Sequence, residues 1–117
     1  MPVGRRPGAY ICGTDAAMDI IDGKWKVSIL WALGERGRCR FGELRRLLPG
    51  VTEKVLAAQL RELEADGIVR REEYDEVPPR VEYSLTDVGT QLNEALEPLT
   101  LWGKKHVLGA LPAPAPR

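Results

Sequence analysis

Between Thr52 and Gly67, apolar residues recur at Val55, Leu56, Leu60 and Leu63, the spacing of one helical face, while Lys54, Ala57, Ala58 and Arg61 fall on the other. The turn pair Pro49-Gly50 precedes this helix, and the Thr52 hydroxyl is placed to accept from the first free backbone N–H groups. Gly67 ends it. One face is core, and the other is small and basic. Such a face suits insertion into a DNA major groove, where bulk blocks approach and positive charge meets phosphate.

The same periodicities divide the rest of the chain. A first short helix is predicted from Thr14 or Asp15 to Asp22, with Ala17, Met18, Ile20 and Ile21 as its apolar content and Gly23 after it. From Lys24 to Glu35 apolar residues occur nearly all round, which predicts a central helix with Trp25 and Trp31 in the core or at an interface. Arg36 to Phe41 alternates as a short strand does, with Cys39 and Phe41 on one side and Arg38 and Arg40 on the other. Gly42 to Pro49 predicts a helix with Leu44, Leu47 and Leu48 inward and Arg45 and Arg46 outward. With the Thr52 helix after its turn, this makes a helix-turn-helix.

Ile68 to Tyr74 and Arg80 to Leu85 are two β-rich runs around Pro78-Pro79, a hairpin directly after the groove-reading helix, hence a wing. Arg80 is placed to reach phosphate or a minor groove, while Glu72, Glu73, Asp75 and Glu76 would repel phosphate. Thr86-Asp87 opens a final helix reaching toward Leu111, with a bend expected at Pro98. Leu92, Ala95, Leu96, Leu99 and Trp102 form one stripe of it, and Leu101 and Leu108 form a second. One domain needs one stripe, so the second calls for a partner helix, most simply from a second copy of the chain. The organisation expected is an N-terminal arm over 1–11, a domain over 12–108 and a tail over 109–117.

Charge sharpens this picture. The chain of 117 residues is neutral overall, with 17 basic and 17 acidic residues. Residues 24–54 hold eight Lys/Arg against three Asp/Glu, whereas 61–97 hold four against eleven. A local basic patch on a neutral protein suits a binder that leaves nonspecific DNA easily. No apolar run is long enough to span a bilayer, and the N-terminus lacks a signal-peptide core, so a cytoplasmic protein is expected. Cys12 and Cys39 are too few and too distant in sequence for a metal cluster, and as cytosolic residues both are expected as thiols. The single histidine, His106, has no acid or nucleophile fixed beside it, and there is no glycine-rich phosphate loop. The acidic run of the hairpin lacks the spacing of a calcium loop. No enzyme, metal or cofactor is expected.

Gly23-Lys24-Trp25, Arg40-Phe41 with Glu43-Leu44, Leu60 to Gly67, and Pro79 to Tyr83 with Leu85-Thr86 and Gly89 occur in this order between Cys12 and Gly103. In that order they closely resemble the HxlR-type family of bacterial transcriptional regulators, related in fold to MarR-like winged helices. The resemblance implies a mainly α winged helix-turn-helix with a small β-wing. It further implies a homodimer through the first and last helices that binds a palindromic operator and represses or activates neighbouring genes. Met18, Ile21, Leu101, Trp102 and Leu108 are the expected dimer contacts. The resemblance also implies that Cys12 senses quinones, other electrophiles or oxidants; here Gly13 stands where that cysteine is usually followed by Pro. Read on its own, Cys12 is a small buried residue at an interface, and Cys39 an inward residue of a strand.

The expected DNA-binding set is therefore Thr52, Lys54, Ala58 and Arg61 on the groove-reading helix, with Lys54, Ala58 and Arg61 for bases, and Arg38, Arg40, Arg45, Arg46 and Arg80 for phosphate. Two other readings stay open. One is a winged helix that docks on protein, which would call for an uncharged apolar outer face on the Thr52 helix. The other, compatible with DNA binding, is a small-molecule effector pocket between dimer halves lined by Trp25, Trp31 and Trp102.

Overall fold

The computed structural model describes residues 9–109, so the arm and tail expected at the two ends lie largely outside the described residues. Six α-helices and one hairpin follow in order: α1 Gly13–Ile20, α2 Lys26–Arg36, α3 Phe41–Leu47, α4 Glu53–Ala65, β1 Val69–Tyr74, β2 Arg80–Leu85, α5 Asp87–Ala95 and α6 Glu97–Gly103. A π-helical turn over Lys104–Leu108 closes the series. This is the expected winged helix-turn-helix, mostly helical with a two-stranded antiparallel wing.

The core gathers Ile20 and Ile21 from the first segment, Ile29, Leu30, Ala32 and Leu33 from α2, Leu44 and Leu48 around α3, and Leu56, Leu60 and Leu63 from α4. Ile68 and Val69 at the root of the wing complete it. Ile21, expected at a dimer interface, is only 7% exposed and belongs to this core, because α1 ends at Ile20 and turns the next side chain inward. Val55 corrects the expected core face of α4: it is exposed, lying at the margin of the stripe that Leu56, Leu60 and Leu63 bury.

The strand expected over 36–41 shrinks to a single bridge, in which the backbones of Cys39 and Tyr83 exchange hydrogen bonds of 3.0 and 2.8 Å. Phe41 already begins α3, so only Cys39 pairs with the wing. The final helix is interrupted at Leu96, two residues before Pro98, which cannot donate to the Glu94 carbonyl one turn back. Of its expected core stripe, Leu92 and Leu96 pack inward, while Leu99 and Trp102 stay exposed with Leu101, Val107 and Leu108.

One junction ties the last helices to the wing. The Thr86 hydroxyl donates to the Gly67 carbonyl at 2.6 Å and accepts from the Gly89 N–H at 3.0 Å, capping α5. Gly89 lies so close to the wing root that an added Cβ would sit 2.1 Å from the Ile68 carbonyl oxygen.

Candidate nucleic-acid interface

The groove-reading helix forms where its local chemistry dictates. The Thr52 hydroxyl accepts from the Val55 N–H at 3.2 Å, and Gly50 turns the chain between α3 and α4 at a φ of 96°, a conformation that favours glycine. Behind α4, Leu56, Leu60 and Leu63 are at most 2% exposed and fix its roll. In front, Lys54, Ala58, Arg61 and Ala65 recur at intervals of four, three and four, so they share the face opposite the buried stripe. Lys54 and Arg61 are exposed and form no ion pair among the described residues; Ala58 is half-buried between them. The expected base-reading triplet thus stands on one surface.

Two contacts missed by sequence reasoning hold this helix to α2. The Trp25 N–H donates to the Gln59 side-chain carbonyl at 3.1 Å, and the Trp25 ring lies against Gly50 of the turn. Lys26 is fully buried, with its ammonium 2.5 Å from a Glu62 carboxylate oxygen, an ion pair without the alignment of a hydrogen bond. A charge inside an apolar period leaves no local signal, and only the neighbouring Lys24 and Trp25 marked the stretch.

The five arginines expected at phosphate divide into three groups. Arg40 and Arg46 are exposed and form no ion pair among the described residues. The Arg40 backbone N–H donates to the Glu43 carboxylate at 2.9 Å, which starts α3 with the guanidinium outside. Arg45 donates to Glu53 across the turn at 3.0 Å, joining α3 to the first turn of α4.

Arg38 and Arg80, also expected at phosphate, are engaged with carboxylates of the wing in the free protein. Arg80 gives Nε and Nη2 to Glu76 at 3.1 and 2.7 Å and Nη1 to Glu82 at 2.6 Å, and lies 3.9 Å over the Tyr74 ring. Those hydrogen bonds raise the Arg80 pKa and hold the Glu76 and Glu82 carboxyls below the usual carboxylate range. Arg38 donates to the Tyr74 hydroxyl at 2.8 Å and lies 3.4 Å from Glu82 and 3.7 Å from Glu72. Glu72, Glu76 and Glu82, part of the wing's acidity, are the groups that take these two arginines. Hairpin register would have found this: it sets Glu72 opposite Glu82 and Tyr74 opposite Arg80.

The two cysteines differ sharply. Cys12, expected as a buried residue, is exposed at the start of α1, where it takes the N-cap position outside the core. Cys39 is buried, and burial pushes its thiol pKa up. The three tryptophans lie apart in the chain: Trp25 packs at the turn, Trp31 lines a cleft with Val27 and Leu96, and the Trp102 ring lies 5.1 Å from that of His106. No group of three or more potential metal ligands gathers among the described residues, and no described helix is long and apolar enough to cross a membrane.

Comparison with known proteins agrees with this architecture. A family model described as HxlR-like helix-turn-helix matches residues 20–109. The regulatory protein MalR of Fusobacterium mortiferum is 46% identical over 101 residues, 86% of this chain and 95% of that protein. The HTH-type transcriptional regulator YtcD of Bacillus subtilis is 46% identical over 98 residues, covering 84% and 77%. Among solved structures, the reduced form of the redox regulator HypR superposes with a TM-score of 0.77 at 43% identity, covering 86% of this chain and all of that one.

Proposed function

The chain belongs to the HxlR-like helix-turn-helix family of transcriptional regulators, and from that premise we propose that it reads an inverted-repeat operator in double-stranded DNA as a homodimer. The observation that carries this reading is the outer face of α4, where Lys54, Ala58 and Arg61 stand unpaired over a fully buried aliphatic stripe. Lys54 and Arg61 contact base edges, Ala58 admits close approach, and Thr52 keeps the helix start aimed at the groove. Arg40 and Arg46 contact phosphate beside it, and Arg45 assists through its tie to Glu53. A charged outer face disfavours protein docking as the role of this helix, and a binding role without catalysis fits a chain whose relatives are regulators.

The partner surface is the apolar one left by the last helices. Leu101, Trp102 and Leu108 are each more than half exposed, as is Met18 on α1. A second copy covers them most simply, because a two-fold dimer buries the same patch twice and matches an inverted repeat. Cys12 stands on the same side of the sequence as Met18, exposed where buried Cys39 is not, which supports a redox or electrophile response through Cys12. The likeness to a redox regulator supports the same reading.

The decisive test is selection of the source genome's own fragments by the purified, reduced protein at moderate salt, before and after diamide. Expected is recovery of one or a few inverted repeats with half-sites about 10 base pairs apart or a multiple of that. Loss on oxidation should disappear in Cys12→Ser and persist in Cys39→Ser. A folded dimer that enriches nothing above background overturns the operator assignment.

A further inference from the structure

The wing carries an electrostatic conflict of its own. Glu72 on β1 and Glu82 on β2 stand directly opposite in the antiparallel register, and like charges so placed push a two-stranded ribbon apart. Arg38 meets them from outside the hairpin. Its Nη1 lies 3.7 Å from Glu72 and 3.4 Å from Glu82, and donates to the Tyr74 hydroxyl. The next residue, Cys39, exchanges both backbone hydrogen bonds with Tyr83, beside Glu82. Arg38 therefore links the body of the domain to both strands at the level of the conflict. Arg80 ties Glu76 and Glu82 in the same way, so two guanidinium groups are held by three carboxylates, while Arg70, on the same face opposite Ser84, is exposed and forms no ion pair among the described residues.

We propose that Arg38 is a positioning residue: it neutralises the Glu72–Glu82 pair and fastens the wing to the domain, setting where the hairpin stands beside α4 when DNA is bound. The inference rests on the operator-binding reading for its consequence, but not for the staple itself. A phosphate contact and a staple differ in what relieves their loss. Removing a phosphate contact lowers the salt dependence of binding, and no change at Glu72 restores it. Removing a staple leaves the salt dependence alone, and discharging one of the opposed carboxylates restores the wing.

The experiment uses the full chain and the variants Arg38→Met, Glu72→Gln and their combination, with Arg46→Ala as the phosphate-contact comparator. Amide hydrogen exchange on the free protein reads the staple. Arg38→Met should speed exchange along β1 and β2 about two- to fivefold, the worth of one cross-strand charge pair, and leave α4 unchanged. Binding to the selected operator should weaken over the same range with the salt slope kept, whereas Arg46→Ala should flatten that slope by about one. Adding Glu72→Gln should restore exchange and affinity in the Arg38→Met protein, and change both less in the wild-type background. Unchanged exchange, equal effects of Glu72→Gln in both backgrounds, restored exchange without restored affinity, or a slope flattened as by Arg46→Ala would each overturn the proposal. If the wild type selects no operator, the operator reading falls, and the exchange measurement still decides the staple.

Discussion

The groove-reading helix and the wing sit next to each other in the chain and solve the problem of carrying charge in opposite ways. On α4 the cations are left unpaired and the support is apolar: Lys54 and Arg61 stand free in front while Leu56, Leu60 and Leu63 are buried behind. On the wing most cations are spent internally, with Arg38 and Arg80 tied to Glu72, Glu76 and Glu82 and Arg71 to Glu73, and no residue of β2 is fully buried. A helix gets its shape from its own backbone and needs only a buried face to be held. A lone two-stranded ribbon is marginal in water and needs side-chain ties to stand. Charge that stabilises the ribbon is charge withdrawn from the ligand.

The contrast yields measurable differences. Leu60→Ala removes the central anchor of α4 and should cost about 2 to 5 kcal/mol of unfolding free energy, whereas Val81→Ala, half-buried in the wing, should cost less than half as much; chemical denaturation compares them. Similar losses at the two positions would mean that the wing is anchored as firmly as the helix. Next in size, Arg61→Ala should weaken binding to the selected operator by roughly 1 to 3 kcal/mol and relax preference at one base position. Arg46→Ala should weaken selected and random DNA alike, by severalfold, with a shallower salt dependence. If both variants lose equally on every DNA, base and phosphate roles have been misassigned.

The smallest effect is in acid. Because Glu76 and Glu82 have pKa values depressed in the folded chain, mainly by Arg80, their contribution to the wing is complete above the ordinary carboxylate range and fades as pH falls through the lowered values. Amide protection along β1 and β2 should therefore drop below about pH 4, before that of α4. Parallel loss in both regions would remove the distinction drawn between them.

What the sequence made legible follows the reach of each interaction. The Thr52 cap, the Leu56, Leu60 and Leu63 stripe, the turn at Gly50 and the two wing strands depend on nearby residues, and they stand where the sequence pattern puts them. The partners of Arg80, Glu76 and Glu82, lie within four residues and are legible once the hairpin is drawn, whereas those of Arg38 are not legible because they come from afar, Glu82 being 44 residues away. Lys26 was hidden for the same reason, its partner Glu62 being two helices away. Ile21 and Val55 were errors of a single residue's rotation at the edge of an apolar stripe, where helix ends and stripe margins decide burial. The bend expected at Pro98 falls earlier, at Leu96, because the missing N–H of Pro98 leaves the Glu94 carbonyl one turn back without its donor.

The contact at Gly89 has a bearing on how movement would pass through the domain. Here the backbone of α5 rests against the carbonyl of Ile68, with no side chain between them to change rotamer and take up slack. The Thr86 hydroxyl pins the same spot to Gly67, the residue that ends the groove-reading segment. The two limbs meet as a bell crank meets its pin: a tilt of α5 would press directly on the backbone at the root of β1. Any larger residue at position 89 would replace that rigid bearing with a wedge, altering the resting angle of the crank even where the chain still folds.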